Sequence, residues 1–79
     1  MSHTITLYRQ AALHAQAHNW PQATASLHCA YRDTPPDHLT DEDCQHLWPY
    51  LDDLAVVGQQ LPCLRGTIRL LTRLRDLAS

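Results

Sequence analysis

The sequence predicts an all-α protein, a small antiparallel bundle of about four helices in one domain. Apolar residues recur every three or four positions in each apolar segment, as they do along one face of a helix. No segment shows the alternation of apolar and polar residues that is typical of a half-buried strand. The 79 residues allow only a small core, so we expect stability to benefit from a partner or a second copy.

The first predicted unit is a helical hairpin over residues 4–35. Its first arm carries apolar residues at helical spacing, and neither Gly nor Pro interrupts it before the turn: Ile5, Leu7, Tyr8, Ala11, Ala12 and Ala15. At the turn, Asn19 is expected to cap the second arm with its side chain, and Pro21 suits the first helical turn. Pro35 and Pro36 end the second arm because neither has a backbone N–H to donate.

Small residues opposite large ones predict close contact between the two arms. The second arm places Trp20, Ala23, Leu27, Ala30 and Tyr31 on one face. Two helices approach closely where one of them presents small side chains. The residues expected to pack the hairpin together are therefore Leu7, Ala11, Trp20, Ala23, Leu27 and Ala30.

Residues 7–35 resemble one tetratricopeptide repeat. The second arm has the repeat's small residue, large apolar residue, second small residue and terminal proline, at Ala23, Leu27, Ala30 and Pro35. In the first arm, Gln10 and His14 stand where the repeat prefers Leu and an aromatic residue, and no second copy follows one repeat-length later. The resemblance implies a pair of antiparallel helices and not a repeat array.

After a connector at residues 36–39, residues 40–78 are predicted to form a helix pair with a kink near Pro49. Thr40 is the expected N-cap of the third helix, since its hydroxyl can reach the backbone N–H of Asp43. The three acidic residues 41–43 suit the positive end of the helix dipole. Pro49 should kink or divide this helix, and Gly58 is a natural C-terminal stop.

The fourth predicted helix runs from near Pro62 almost to Ser79 and carries more apolar surface than one neighbour covers. Arg65, Arg69 and Arg73 form a stripe along it. Residues 33–53 hold seven of the eight acidic residues, so the third and fourth helices can pair by charge. The alternative is that the arginine stripe grips an acidic partner helix or a nucleic-acid backbone.

Composition and charge argue against several function classes. A net charge of −2 is a poor match for a nucleic-acid-binding protein, whose affinity comes largely from neutralising phosphates. No apolar run is long enough to cross a bilayer, and the N-terminus does not resemble a secretory signal. We therefore expect a soluble, cytoplasmic protein with no membrane insertion and no small-molecule substrate.

The six histidines and three cysteines predict neither a metal site nor a catalytic site. His14 and His18 are spaced to share a metal ion, but no Cys-x2-Cys pair or zinc-protease motif supplies further ligands. An odd number of widely spaced cysteines favours buried, reduced thiols over disulfides. His28 and Cys29 diverge by about 100° on a helix, so they form no nucleophile pair. We expect no enzyme activity and no cofactor.

These observations favour a protein-protein interaction module, for which three classes stay open. Small bacterial secretion chaperones of the type III and flagellar systems are similar in overall look, and such a chaperone or adaptor would cradle an amphipathic helix of its partner. A regulator that docks on a larger complex is the second class, and a self-associating structural dimer is the third. The expected partner-binding surface lies on the fourth helix and comprises Leu64, Arg65, Ile68, Arg69, Leu70, Arg73, Leu74 and Leu77.

Overall fold

Five α-helices and two short 3-10 turns make up the computed structural model, which describes residues 4–78 and contains no strand within them. The helices are α1 (Thr4–Gln16), α2 (Trp20–Asp33), α3 (Asp41–Leu47), α4 (Leu51–Gln59) and α5 (Arg65–Ala78). The 3-10 turns are Pro36–His38 and Trp48–Tyr50. The prediction of a small all-α bundle is confirmed, with α3 and α4 as the two parts of the predicted third helix.

The turn between α1 and α2 depends on backbone hydrogen bonds and not on an Asn19 side-chain cap. His18 adopts a positive φ of 59°, and the Asn19 N–H donates to the carbonyl oxygen of His14 at 2.9 Å. This left-handed ending satisfies carbonyl groups that the last turn of α1 would otherwise leave open. The Asn19 side chain makes no capping hydrogen bond, so its predicted role is wrong. Its backbone instead closes one helix and begins the next.

α1 and α2 pack through small residues. Ala11, Ala23, Leu27 and Ala30 are buried in the core, while Leu7 and Trp20 are partly buried against it. An alanine on each side of a helix crossing lets the two backbones approach closely. All six residues expected to pack the hairpin therefore lie in or against the core.

Replacing Ala23 with leucine is expected to destabilise the protein by about 1–3 kcal/mol, because the Ala23 site is fully buried and has no room for three more carbons. The measurement is the midpoint of urea unfolding. Ala25→Leu, at an exposed position of the same helix, is the matched control and should change stability little. Equal midpoints for the two variants would contradict this packing.

Two predicted features of the third helix are confirmed. The Asp43 N–H donates to the Thr40 hydroxyl at 3.1 Å, and the Asp43 carboxylate accepts from the Thr40 N–H at 3.2 Å, which completes a capping box. The 3-10 turn Trp48–Tyr50 divides the helix where Pro49 was expected to divide it. Trp48 is 46% exposed, because the tighter 3-10 turn changes the helical phase.

The boundary between α4 and α5 differs from the prediction. Gly58 does not end α4 but lies inside it, buried where α4 comes closest to Thr67 of α5. A Cβ at Gly58 would overlap the Thr67 side chain, so glycine here provides space between helices. α5 begins at Arg65 instead of near Pro62, and the Ile68 N–H donates to the Leu64 carbonyl at 2.9 Å in its first turn.

Two tyrosines connect the arms of the hairpin with each other and with α5. The Tyr8 hydroxyl, fully buried, donates to the Thr34 carbonyl at the end of α2. The rings of Tyr8 and Tyr31 lie 5.9 Å apart, and the Tyr31 hydroxyl hydrogen-bonds to that of Thr67 at 2.9 Å. Burial raises the pKa of Tyr31 to about 12, while the Thr67 hydrogen bond acts in the opposite direction. Burial also raises the pKa of Tyr8, with a further contribution from Tyr31.

These raised tyrosine pKa values predict a loss of stability in alkali. The unfolded chain releases each phenolic proton near pH 10, whereas the folded protein holds it to higher pH. The stabilising contribution is therefore complete below about pH 10 and is lost as the pH rises through about 12, with a limiting slope of about 1.4 kcal/mol per pH unit for each tyrosine.

Urea unfolding between pH 9 and pH 12 measures this dependence, because the unfolding free energy is read directly at each pH. Tyr31→Phe should flatten the decline, and Tyr50→Phe, at a half-buried tyrosine outside this hydrogen-bonded pair, serves as the control. A decline of equal slope in the Tyr31 variant would assign the alkaline loss to other groups.

Candidate protein-binding site

One face of α5 closes the core and therefore cannot be the docking surface. Leu70 and Leu74 are 0% exposed, and Thr67 and Leu71 are also buried. Including Leu70 and Leu74 in the partner-binding surface was wrong. α5 packs against α3 and α4 through this face, so no partner can reach these two leucines while the bundle stays folded.

A second face of α5 leaves large apolar side chains exposed. Ile68, on α5, is 61% exposed, and Leu64, the residue directly before the helix and four positions earlier, is 46% exposed; we call this pair the α5 edge. Leu77, at the other end of the helix, is 37% exposed. Trp48 is 46% exposed and belongs to a turn that packs against α5. Exposed aliphatic residues side by side on a helix are typical of a contact surface.

The predicted arginine stripe divides into residues used within the molecule and one that is not. The Arg73 guanidinium donates to the carbonyl oxygens of Pro36 and Leu39 and pairs with Asp41 at 3.2 Å. Arg69 pairs with Asp37. The predicted charge pairing between the third and fourth helices is confirmed for Arg73 and Asp41. Arg73 therefore holds the connector in place. Its guanidinium is not available to a partner, although the residue was expected in the partner-binding surface.

Three arginines remain without an internal partner in the described part of the chain, and two of them lie at one cleft. Among residues 4–78, the side chains of Arg32 and Arg65 form no ion pair and no hydrogen bond. Both are exposed and both line the same cleft, although they are 33 positions apart in the sequence. Tertiary structure thus brings an arginine of α2 next to the predicted arginine of α5.

That cleft has a volume of about 340 Å³ and lies between the C-terminal half of α2, the connector, and the first turn of α5. Tyr31, Pro36 and Leu61 form its less exposed part. We call it the arginine cleft; its lining residues are His28, Tyr31, Arg32, Pro35, Pro36, Asp37, Leu61, Pro62, Cys63, Arg65, Gly66 and Arg69. An apolar floor beneath cationic side chains can bind an apolar group that carries a negative charge.

Sequence reasoning found Arg65 and Arg69 but missed the rest of the arginine cleft. Its walls come from residues 28–37 and 61–69, which no helical periodicity connects. The one available signal was the presence of prolines at both places, Pro35 and Pro36 where the hairpin meets the connector and Pro62 before α5. Proline fixes the backbone and ends helices, so such residues mark rigid walls between elements.

The cysteines and histidines do not converge on one place. Cys44 is buried as predicted, and burial raises the pKa of its thiol, but Cys29 and Cys63 are exposed, so the expectation that all three are buried is wrong. Cys29 lies on the exposed side of α2, and Cys63 lies in the link before α5, outside any helical stripe. Within residues 4–78, no three His, Cys, Asp or Glu side chains are placed to hold a metal ion.

Removing metal ions is expected to leave the protein unchanged. His14 and His18 lack further ligands in the described structure, so a chelator has nothing to extract there. The melting temperature with and without EDTA measures this. Stoichiometric zinc or nickel in protein purified without a His tag would contradict the expectation.

None of the helices within residues 4–78 combines the length and the apolar character needed to cross a bilayer.

Comparison with known proteins adds no relative: no family model matches the chain, and neither a curated protein nor a solved structure is significantly similar to it. The resemblance of residues 7–35 to a tetratricopeptide repeat therefore stays a prediction.

Proposed function

We propose that this protein is a protein-protein interaction module, an adaptor or secretion-type chaperone that holds an amphipathic helix of its partner against the α5 edge. The observation that carries the proposal is the exposure of Ile68 on α5, and of Leu64 directly before it, while another face of the helix is used by the core. Burying both side chains in a complex would stabilise it by roughly 2–4 kcal/mol.

The neighbourhood of the α5 edge supports a helical partner. α5 is a 14-residue helix, long enough to offer several turns to an antiparallel or parallel neighbour. Arg65, unpaired among the described residues, lies beside Leu64 and can orient an acidic flank of the partner helix. Apolar contacts then supply affinity, and the charge supplies orientation and on-rate.

The test is selection from a displayed library of helix-forming peptides, run in parallel on the wild-type protein and on Ile68→Asp. Peptides with apolar residues at i, i+3 or i+4, and i+7 should be enriched on the wild type and lost on the variant. Val56→Asp is the matched control, since Val56 is a β-branched residue 46% exposed on another helix. It should retain the selected peptides.

The same variants also distinguish the proposed adaptor or chaperone from a structural dimer and from a docking regulator. Enrichment that Ile68→Asp does not change would place the docking surface elsewhere. If light scattering finds a wild-type dimer that Ile68→Asp converts to a monomer, and no peptide is enriched, the α5 edge belongs to a structural dimer. A complex that weakens mainly with added salt would favour the docking regulator.

A further inference from the structure

Besides the α5 edge, the arginine cleft offers a concave surface of different chemistry. At about 340 Å³ it falls at the small end of ligand-binding clefts, with space for a few side chains. Seven of its twelve lining residues are exposed, so the cleft is open along one side. A small molecule would keep much of its surface in water there, whereas an extended peptide can cross an open cleft and place one side chain inside.

The apolar part of the cleft is rigid. Thr67 already engages the Tyr31 hydroxyl, so the ring is held in place. Gly66 lets the first turn of α5 lie close to the ring: a Cβ at this position would lie 3.0 Å from the ring carbon Cδ2. Pro35 and Pro62 have fixed φ angles on either side. A site that is already ordered loses little conformational entropy when a ligand binds.

The charge at the cleft is opposite to that of the whole protein. The lining contains three arginines and one carboxylate: Arg32, Arg65, Arg69 and Asp37. It therefore carries three positive charges and one negative charge, a net of +2. The full chain has a net charge of −2. Asp37 neutralises Arg69, which leaves the guanidinium groups of Arg32 and Arg65 free to bind carboxylates.

We propose that the arginine cleft binds an acidic segment of a partner protein, with one apolar or aromatic side chain set against Tyr31 and Leu61 and flanking carboxylates on Arg32 and Arg65. The inference does not depend on the α5 edge, which is formed by Leu64 and Ile68 and lies outside the cleft lining. The site would give the protein a second contact, with a different sequence preference.

A second copy of this chain fits the cleft less well. Its densest acidic run, residues 41–43, is already engaged: Asp41 pairs with Arg73, the Asp43 carboxylate closes the capping box, and Glu42 lies 3.9 Å from His46. Nucleic acid also fits poorly, because a chain of net negative charge repels a phosphate backbone outside this small area.

The experiment is selection of random heptapeptides on the folded wild-type protein, followed by fluorescence anisotropy with the most enriched peptide, labelled with fluorescein. Enriched peptides should combine Asp or Glu with an aromatic or aliphatic residue. The double variant Arg32→Gln with Arg65→Gln should weaken binding about tenfold or more. Raising salt from about 50 to about 300 mM should also weaken it.

Two controls make the result specific. Arg9→Gln removes another exposed arginine, on α1, and should leave the affinity unchanged. Ile68→Asn, which removes the apolar side chain of the α5 edge without adding a charge one turn from Arg65, should also leave the heptapeptide bound, so failure of the proposed helix-binding function and failure of this inference give different results.

The proposal is overturned if no peptide is enriched, if the enriched peptides lack acidic residues, or if the wild type and the Arg32 and Arg65 double variant bind with equal affinity. A wild-type dimer that this double variant converts to a monomer would assign the cleft to a second copy and overturn it as well.

Discussion

Replacing Leu70 and Leu74 together with asparagine is expected to unfold the protein at room temperature. Both leucines are 0% exposed. Shortening one buried leucine to alanine already costs about 2–5 kcal/mol. Burying an asparagine amide without partners adds about 1–3 kcal/mol at each site. The sum exceeds the stability of roughly 5 kcal/mol that a domain of this size can have. Loss of the helical far-ultraviolet signal and an increased hydrodynamic radius would show the unfolding.

The matched control is the same chemical change at the α5 edge. Leu64→Asn with Ile68→Asn places one asparagine directly before α5 and one on it, where the native side chains are 46% and 61% exposed. The control should stay folded, with a change in unfolding free energy of about 1 kcal/mol or less. Folded, cooperative behaviour of the Leu70 and Leu74 variant would mean that α5 is rotated differently about its axis.

Gly58→Val is expected to lower the free energy of unfolding by about 3 kcal/mol or more. A Cβ at Gly58 overlaps both γ atoms of Thr67, and the short, branched threonine side chain has little freedom to move aside. The gain in helix propensity from replacing glycine is only a few tenths of a kcal/mol for valine and cannot offset that overlap. The urea unfolding midpoint measures the effect.

Two companion variants test the cause of this loss. Gln59→Val changes the next, exposed residue of α4 and should alter stability by about 0.5 kcal/mol or less. Thr67→Ala removes the overlapping atoms, so the double variant with Gly58→Val should be more stable than the sum of the single losses implies. Additive losses would show that the two residues are not in contact.

Several features of the fold follow from the sequence alone because short-range chemistry determines them. Thr40 and Asp43 form a capping box from groups three residues apart, which needs no tertiary contact. Pro49 lacks a backbone N–H and therefore interrupts the helix wherever that helix lies. The helical spacing of apolar residues likewise predicted an all-α bundle and a buried alanine seam in the hairpin.

The orientation of α5 required tertiary structure. Its apolar residues cover more than half of the helix circumference, so periodicity permits either Leu64 and Ile68 or Leu70 and Leu74 to face the core. The close approach of Gly58 to Thr67 selects the second pair and leaves the first pair exposed. An isolated sequence segment contains no information about which neighbour occupies which side of a helix.

The arginine cleft shows the same division. The sequence alone marked Arg65 and Arg69 as candidates, because four of the six arginines lie in residues 65–75. Only the folded chain brings Arg32 to the same cleft. The structure is also needed to show that Arg69 forms an ion pair with Asp37, whereas Arg65 has no partner among the described residues. Composition and spacing determined which residues can carry charge and form helices, whereas packing decided which charges are neutralised, since ion pairing depends on distances between elements remote in sequence.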